Sequence, residues 1–261
     1  MKIVLVANST WNIYNFRQNV IRILLDEGHE VVVVAPVDQY LEYKEQFPAI
    51  KHFGIRTWDR DSTNPLKDLL LIAELTRRYR KLKPDLVIHY TNKPNIFGAI
   101  AARLNNLKSV AVVTGLGYPF IHQGWIQNVT SYLYKITSRW HDKFIFENIA
   151  DRELFEDRNI INESKGISIK GCGVDIQHFS PSYNGKLDLN GTIFTFIGRL
   201  LYDKGIREFV EAAKLIRAEN KNVKFWVVGE LDPDNPATVN KEELANWVND
   251  NHIEYLGFQR D

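Results

Sequence analysis

The feature that most constrains the fold is a repeated alternation of apolar runs with segments of helical periodicity. Continuous apolar runs such as 2–7 (KIVLVA) and 30–35 (EVVVVA) are typical of strands that are covered on both faces. Repeated strand–helix–strand units predict a parallel, doubly wound α/β sheet. The predicted strands of the first half are 2–7, 30–35, 85–90, 109–114 and 143–146, and its predicted helices are 13–27, 65–81, 95–105 and 125–140.

The pattern restarts after 181–186 (PSYNGK), which has the composition of a linker. The predicted strands that follow are 192–197, 223–228 and 253–257, and the predicted helices are 207–219 and 242–251. Three strands with two crossover helices leave an open sheet edge. At about 30 residues per βα unit, a six-stranded domain would need roughly 75–100 further residues. We therefore predict two doubly wound domains, 1–182 and 183–261, with the second incomplete; a small lobe completed by a partner is the alternative.

Bulk composition excludes several classes of protein. The chain has 33 Lys and Arg against 32 Asp and Glu, a formal net charge of +1, which argues against a nucleic-acid partner held by bulk charge. A single cysteine, Cys172, excludes an intramolecular disulfide and suits a reducing compartment. The N-terminal apolar run is short and is interrupted by Asn8, which indicates a first strand rather than a signal peptide. We expect a cytoplasmic protein.

The strongest local signal is the segment 196–209 (FIGRLLYDKGIREF), which joins a predicted strand to a predicted helix. Ligands of doubly wound sheets bind at the carboxyl ends of strands. Gly198 has no side chain to keep an anionic group from the backbone, and the helix N-terminus adds partial positive charge. Arg199 can bind phosphate oxygens in a bidentate fork, and Lys204 adds a mobile charge. The segment predicts a diphosphate site; a plain turn with two solvated cations is the alternative.

These residues resemble the donor-site signature of family 4 glycosyltransferases, which have the two-domain GT-B fold. The segment 225–229 (FWVVG) is similar to the strand that follows in that family, and 171–181 (GCGVDIQHFSP) is similar to the segment that closes its first domain. The segments 8–17 (NSTWNIYNFR), 114–117 (TGLG) and 146–148 (FEN) resemble a subgroup that builds bacterial surface polysaccharides and lipid-linked oligosaccharides.

The resemblance implies a retaining transferase that moves a sugar, an N-acetylhexosamine or a hexose, from a UDP-sugar to a lipid-linked or glycan acceptor. It implies no cofactor and no bound metal, because Arg199 and Lys204 would act as catalytic residues that neutralise the departing diphosphate. The implied donor-binding residues are Gly198, Arg199, Lys204, Gly229 and Glu230. The implied acceptor-side residues, in the cleft between the domains, are Asn8, Ser9, Thr10, Thr114, Gly115, Gly117 and Asn148.

The chain departs from the family pattern in two places. The second acidic motif of the family would lie beyond residue 261, so the chain alone is expected to bind donor weakly or to be inactive. Thr114 to Gly117 occupy the position at which many relatives carry a histidine, and Phe120 stands where a dinucleotide-binding loop would need its third glycine.

Several readings stay open from the sequence alone. The residues Asn8 to Thr10 could line the acceptor cleft or simply cap a helix, and Asn15 and Arg17 are at least as well explained by an exposed helix face. For His89 a structural role is the favoured reading. At the level of function, the rivals are a nucleotide-sugar 2-epimerase on the same architecture and a non-catalytic GT-B remnant.

The helices predicted over 65–81 and 125–140 raise the question of contact with the inner face of the plasma membrane. In the first, Leu66, Leu69, Leu70, Ala73 and Leu75 are predicted to form one apolar face. Basic residues cluster at its C-terminal end, and aromatic residues decorate the second helix. A lipid-linked acceptor would favour both features, although the cations also suit the helix dipole and the aromatic spacing fits a core face. The residues concerned are Arg77, Arg78, Arg80, Lys81 and Lys83, and Trp125, Tyr132, Tyr134 and Trp140.

Overall fold

A computed structural model describes residues 1–58, 64–117, 120, 124–176, 179, 191–233 and 235–259. The chain divides into two compact units, Met1–Ser180 and Pro181–Asp261. The predicted linker 181–186, and with it the predicted boundary between residues 182 and 183, lies outside the described residues.

The first unit is built on a seven-stranded parallel sheet with the order β3-β2-β1-β4-β5-β6-β7. The central strand β1 pairs with β2 on one side, with Val4 opposite Val32, and with β4 on the other, with Val4 opposite Val87. The strands are β1 (Lys2–Val6), β2 (Glu30–Ala35), β3 (Lys51–Gly54), β4 (Leu86–Tyr90), β5 (Lys108–Val113), β6 (Lys143–Phe146) and β7 (Gly166–Ser168).

Helices cover both faces of this sheet. One buried cluster joins side chains of α1, α2 and α3 to one face of the strands, and a second joins α4, α5, α6 and α7 to the other. This arrangement explains the continuous apolar runs, because successive residues of each strand point into different cores. The helices are α1 (Thr10–Phe16), α2 (Gln18–Asp26), α3 (Tyr43–Gln46), α4 (Pro65–Leu82), α5 (Ala99–Leu104), α6 (Trp125–Thr137) and α7 (Ile149–Asp157).

The strand order reverses between β1 and β4, since the chain builds outward from β1 in one direction and then returns to build in the other. Such a switch point opens a crevice at the carboxyl ends of the two strands. The loops that begin at Asn8 and Thr91 therefore flank the place where a doubly wound sheet binds ligands.

The second unit has a parallel sheet with the order β10-β9-β8 and two crossover helices. Its elements are β8 (Thr192–Ile197), α8 (Ile206–Glu219), β9 (Val223–Val228), α9 (Lys241–Asn249) and β10 (Glu254–Gly257). Phe225, Val227 and Trp247 contribute to its core. The predicted α/β class with two parallel sheets is confirmed: the first sheet is doubly wound and has seven strands, and the second has three strands in sequential order.

The structure differs from the sequence-based expectation in several elements. The helix predicted over 13–27 is two helices that meet at Arg17. The short strands β3 and β7 and the helices α3 and α7 were not predicted. The predicted apolar face of α4 is wrong: Leu66, Leu69, Leu70 and Ala73 are exposed, and the helix packs on the sheet through Leu71, Leu75 and Tyr79. None of the helices in the described ranges combines the length and the apolar character that a transmembrane span requires.

Candidate functional site

Three glycines lie side by side where the strands of the second sheet end. Gly198, Gly229 and Gly257 follow or close β8, β9 and β10, and the backbone links them: Gly198 N–H donates to Val228 O (3.0 Å) and Gly229 N–H donates to Gly257 O (2.9 Å). A Cβ built on Gly229 would lie 1.8 Å from Gly198 O, and the φ of Gly229 is +147°. Only glycine fits there. The result is a carboxyl edge without side chains, open to close approach by a ligand.

Arg199 is positioned beside this edge by the loop that follows β9. Its Nη1 donates to Asp232 Oδ2 at 2.6 Å, and the neighbouring backbone pairs across the two loops, with Leu200 N–H donating to Glu230 O (2.9 Å) and Val239 N–H donating to Leu200 O (2.9 Å). The guanidinium remains exposed. Asp232 therefore orients Arg199 while lowering the net charge at this point of the edge.

Lys204 lies in a single 3₁₀ turn, Tyr202–Lys204, that leads into α8. Its side chain is exposed, and no ion pair or hydrogen bond of its ammonium group is found within the described ranges. Gly205 precedes α8 in the left-handed region, with φ +80°, and the first turn of α8 has no side-chain cap. The uncapped N–H groups give this helix end partial positive charge.

Glu230 completes the set of residues predicted on the donor side. Its side chain is exposed, and its carbonyl accepts the bond from Leu200 that fastens the two loops together. The structure thus brings Gly198, Arg199, Gly229 and Glu230 to one sheet edge. It adds Gly257 and Asp232, which sequence reasoning missed; Gly257 could have been found as the glycine that ends the next predicted strand.

In the first unit, the residues that follow β1 make hydrogen bonds that hold the loops at the sheet edge in place. Ser9 Oγ accepts from Asn12 N–H (3.2 Å) and caps α1, while Asn8 is half-buried. Thr10 is fully buried, its hydroxyl donates to Pro36 O, and its N–H donates to Asp38 Oδ2 (2.9 Å). The Thr10 side chain therefore ties the loops after β1 and β2 together and does not present its hydroxyl to an acceptor, which corrects that expectation.

The remaining residues that were predicted on the acceptor side follow β5 and β6. Thr114 and Gly115 are half-buried and Gly117 is exposed, and the loop is held by Asn92, whose Nδ2 donates to Leu116 O (3.0 Å). Asn148 is exposed and caps α7 by accepting from Asp151 N–H (2.8 Å). These positions share the carboxyl edge of the sheet with Asn8 and Ser9.

Arg17 is a buried cation at the same edge, so the alternative of an exposed helix face holds for Asn15 and not for Arg17. Its Nη1 lies 2.9 Å from Glu147 Oε1, Nε donates to Asn12 Oδ1 (3.3 Å), and the guanidinium carbon lies 4.4 Å from the centre of the Tyr90 ring. Sequence reasoning missed this pairing, because no local pattern links Arg17 to a residue as distant in the chain as Glu147. The ion pair fixes the start of α2 against the ends of β4 and β6.

A polar network crosses the core beneath the edge. Ser109 Oγ lies 3.2 Å from His89 Nδ1 and 2.7 Å from His141 Nδ1, and His89 Nε2 lies 2.9 Å from the Tyr79 hydroxyl. Burial lowers the pKa of His141 to about 4 and places the pKa of His89 well below its ordinary value, with the nearby His141 as a second cause. His89 is therefore a neutral structural residue, as expected, with no route to a substrate.

The network continues toward the 114–117 loop. His141 Nε2 lies 2.8 Å from Asn95 O, Asn95 Nδ2 donates to the Tyr134 hydroxyl (3.3 Å), and that hydroxyl donates to Asn92 Oδ1 (2.8 Å).

Within the described ranges, no group of three or more histidine, cysteine or carboxylate side chains has the arrangement of a metal site.

Comparison with models of known protein families gives two matches. Residues 2–148 match the family model of glycosyl transferase 4-like domains, and residues 191–261 match that of glycosyl transferases group 1. The first match covers the described carboxyl edge of the first sheet up to Asn148, and the second covers the carboxyl edge of the second sheet.

Two bacterial glycosyltransferases are similar to this chain in sequence. An N,N'-diacetylbacillosaminyl-diphospho-undecaprenol alpha-1,3-N-acetylgalactosaminyltransferase of Campylobacter jejuni is 29% identical over the whole chain, which spans 70% of that relative. A UDP-Gal:alpha-D-GlcNAc-diphosphoundecaprenol alpha-1,3-galactosyltransferase of Escherichia coli is 27% identical over 82% of the chain, which spans 59% of that relative.

The fold is that of solved GT-B structures. Anabaena HepE, crystallised with UDP and glucose, superposes with a TM-score of 0.73 at 20% identity, over all of this chain and 70% of HepE. The sheet topology, the glycine-lined edge and the family match agree, and the chain belongs to the glycosyl transferase 4-like family of glycosyltransferases.

Proposed function

We propose that this chain transfers a hexose or N-acetylhexosamine from a UDP-sugar to a sugar carried on a lipid diphosphate. Both bacterial relatives are named for transfer onto a diphospho-undecaprenol-linked sugar, and one of them is named for UDP-Gal as donor. The second unit would bind the donor and the first unit the acceptor. The reaction would take place at the cytoplasmic face of the membrane, because nucleotide sugars are cytoplasmic compounds.

One observation carries the donor assignment: the side-chain-free edge formed by Gly198, Gly229 and Gly257, with Arg199 beside it. A diphosphate needs close backbone approach and positive charge, and this edge offers both. The uncapped start of α8 and Lys204 extend the positive region along the loop after β8. Glu230 would contact the donor from the loop after β9.

The proposed chemistry is electrostatic. As the bond between the anomeric carbon and the β-phosphate oxygen breaks, negative charge grows on the departing UDP, and Arg199 and Lys204 would neutralise it. This is the task that a metal ion performs in other transferases, and we propose that no metal or other cofactor is needed here. Asp232 would hold the Arg199 fork in place before the donor binds.

We propose that the anomeric configuration is retained. Both relatives are named as alpha-1,3 transferases, and UDP-galactose and UDP-N-acetylgalactosamine carry their sugar in the α configuration. On the acceptor side, Asn8, Ser9, Thr114, Gly115, Gly117 and Asn148 would form the edge that meets the acceptor sugar.

A transfer assay tests the proposal. The chain is incubated with a radiolabelled UDP-sugar and a lipid-diphosphate-linked sugar. Label is expected in the lipid fraction at low yield, because the sequence predicts that this chain binds donor weakly, and the yield should be the same in the presence of a chelator. The matched pair of variants is Arg199→Ala against Lys214→Ala, a lysine of α8 that is already paired with Glu211 at 2.7 Å. Arg199→Ala should reduce transfer by roughly 100-fold and Lys214→Ala should not.

The same assay distinguishes the two alternative functions, a 2-epimerase and a non-catalytic family member. Conversion of UDP-N-acetylglucosamine without any acceptor would indicate a 2-epimerase. That reaction needs accessible acids and bases, whereas His89 and His141 are fully buried. A chain that neither transfers sugar nor binds UDP would be a non-catalytic member of the family.

A further inference from the structure

Helix α4 has two apolar faces, and one of them points away from the protein. Leu71, Leu75 and Tyr79 pack into the core. On the opposite side Leu66, Leu69 and Leu70 are 68%, 61% and 59% exposed. Their spacing of three and four residues places them together on the first two turns. A cluster of exposed leucines is uncommon on a soluble protein and marks an interaction surface.

Helix α6 repeats this arrangement. Trp125 and Tyr132 are 66% and 64% exposed, with Val129 between them at helical spacing, while Tyr134 is buried on the other side. Side chains of α4 and α6 share one core cluster, so both helices lie on the same face of the sheet. We name the six exposed residues the outer face: Leu66, Leu69, Leu70, Trp125, Val129 and Tyr132.

The exposed charges of helix α4 itself have one sign. The acidic side chains of α4, Asp68 and Glu74, are 18% and 11% exposed and are held by Lys93 (3.1 Å) and Arg78 (3.6 Å). The exposed charges of the helix are therefore basic. Arg77 and Lys81 continue the leucine stripe toward the C-terminal end of α4, with Arg80 beside them.

The outer face also lies close to the proposed acceptor edge. Lys93 follows the end of β4, and its bond to Asp68 places the first turn of α4 at the carboxyl ends of the strands. The Tyr134 hydroxyl of α6 donates to Asn92 in the same loop.

From this arrangement we propose that the outer face docks on an anionic lipid bilayer, a deepening that rests on the proposed function. The leucines would enter the acyl boundary, Trp125 and Tyr132 would lie at the headgroup level, and Arg77 and Lys81 would contact anionic headgroups. Docking would bring the acceptor edge to the surface in which a lipid-diphosphate sugar is anchored.

Vesicle flotation of the full chain, without donor or acceptor, tests the proposal. The wild type is expected to float with vesicles of phosphatidylglycerol and phosphatidylcholine and to bind vesicles of phosphatidylcholine alone more weakly. The triple variant Leu66→Gln, Leu69→Gln, Leu70→Gln should bind at least about tenfold more weakly, because each buried leucine contributes substantially to membrane partitioning. The control is Leu215→Gln, since Leu215 is equally exposed but lies on α8.

Two further variants keep the test independent of folding. Trp125→Ser alters the other helix and should also weaken binding, and Arg77→Glu with Lys81→Glu should abolish the preference for anionic vesicles. Thermal unfolding identifies any variant that fails to fold. The proposal is overturned if the wild type does not float, if the folded triple variant floats as well as the control, or if the leucines instead mediate self-association in sedimentation. Transfer to a water-soluble acceptor, measured separately, tells failure of docking from failure of the transferase assignment.

Discussion

Arg17 and Glu147 form a buried ion pair at the carboxyl edge of the first sheet, with Nη1 and Oε1 2.9 Å apart. The pair joins the start of α2 to the end of β6, and Tyr90 of β4 stacks beneath the guanidinium. It therefore fixes the strand ends between which the proposed acceptor residues lie.

Removing one partner of this ion pair should destabilise the first unit. Glu147→Ala leaves the Arg17 charge buried without a counter-charge, and we expect the free energy of unfolding of the first unit to fall by about 3–5 kcal/mol. Urea unfolding measures it. Glu211→Ala, which breaks the exposed pair with Lys214, is the control and should cost less than about 1 kcal/mol. A Glu147→Ala chain as stable as that control would contradict a structural role for the pair.

Acidification should destabilise the first unit through its buried histidines. The folded pKa of His141 is lowered to about 4 from 6.5, chiefly by burial, so between these values the unfolded chain binds more protons than the folded one. This contribution to stability is fully present above pH 6.5 and is lost as the pH falls toward 4. At 1.36 kcal/mol per pKa unit it amounts to roughly 3 kcal/mol.

Urea unfolding at pH 7 and pH 5 gives the pH effect directly. His141→Gln should be less stable at pH 7 but should show a smaller loss on acidification. His252→Gln, on the second unit, should leave the dependence unchanged. An identical pH dependence for His141→Gln and the wild type would show that this histidine titrates normally.

Gly229→Ala should disrupt the carboxyl edge of the second sheet, where we propose that the donor binds. The new Cβ would overlap Gly198 O at 1.8 Å, in a backbone conformation that side chains rarely adopt. We expect a loss of more than about 2 kcal/mol, from the strained backbone and from the overlap together, with UDP binding lost as well. Gly171→Ala, at φ +75° with nothing within 4 Å of its Cβ, has the backbone strain without the clash. Equal losses in unfolding free energy for the two variants would contradict the close approach of Gly229 to Gly198.

The central parts of the fold were predictable because buried parallel strands leave a local signature. The apolar runs 2–7, 30–35 and 109–114 strongly indicate buried strands. The observed strands begin and end within one residue of these predicted bounds. The four-residue β3 (KHFG) has no such run and depends on its pairing with β2, in which His52 lies opposite Val33. The formation of β3 therefore depends on tertiary pairing and not on a local sequence pattern.

The errors concern which side of an element faces inward. Helix α4 has leucines at 66, 69, 70, 71 and 75, so periodicity alone permits two apolar faces, and packing against Ile96 and Phe97 decides between them. Arg17 illustrates the same limit for a polar residue, because its partner Glu147 lies 130 residues away. On the edge proposed for the donor, by contrast, Gly198, Gly229 and Arg199 directly follow predicted strands, so the sequence alone predicts that they share one edge. Gly257 ends the next strand and was missed.

The proposed role of Arg199 and Lys204 as counter-charges for a departing diphosphate is tested most directly by titrating the chain with UDP in a calorimeter. Wild type should bind, and Arg199→Ala and Lys204→Ala should each weaken binding by about tenfold or more, as expected for the loss of one charge-assisted contact. Lys214→Ala should bind as the wild type does. Unchanged UDP affinity in both the Arg199 and Lys204 variants would contradict the account.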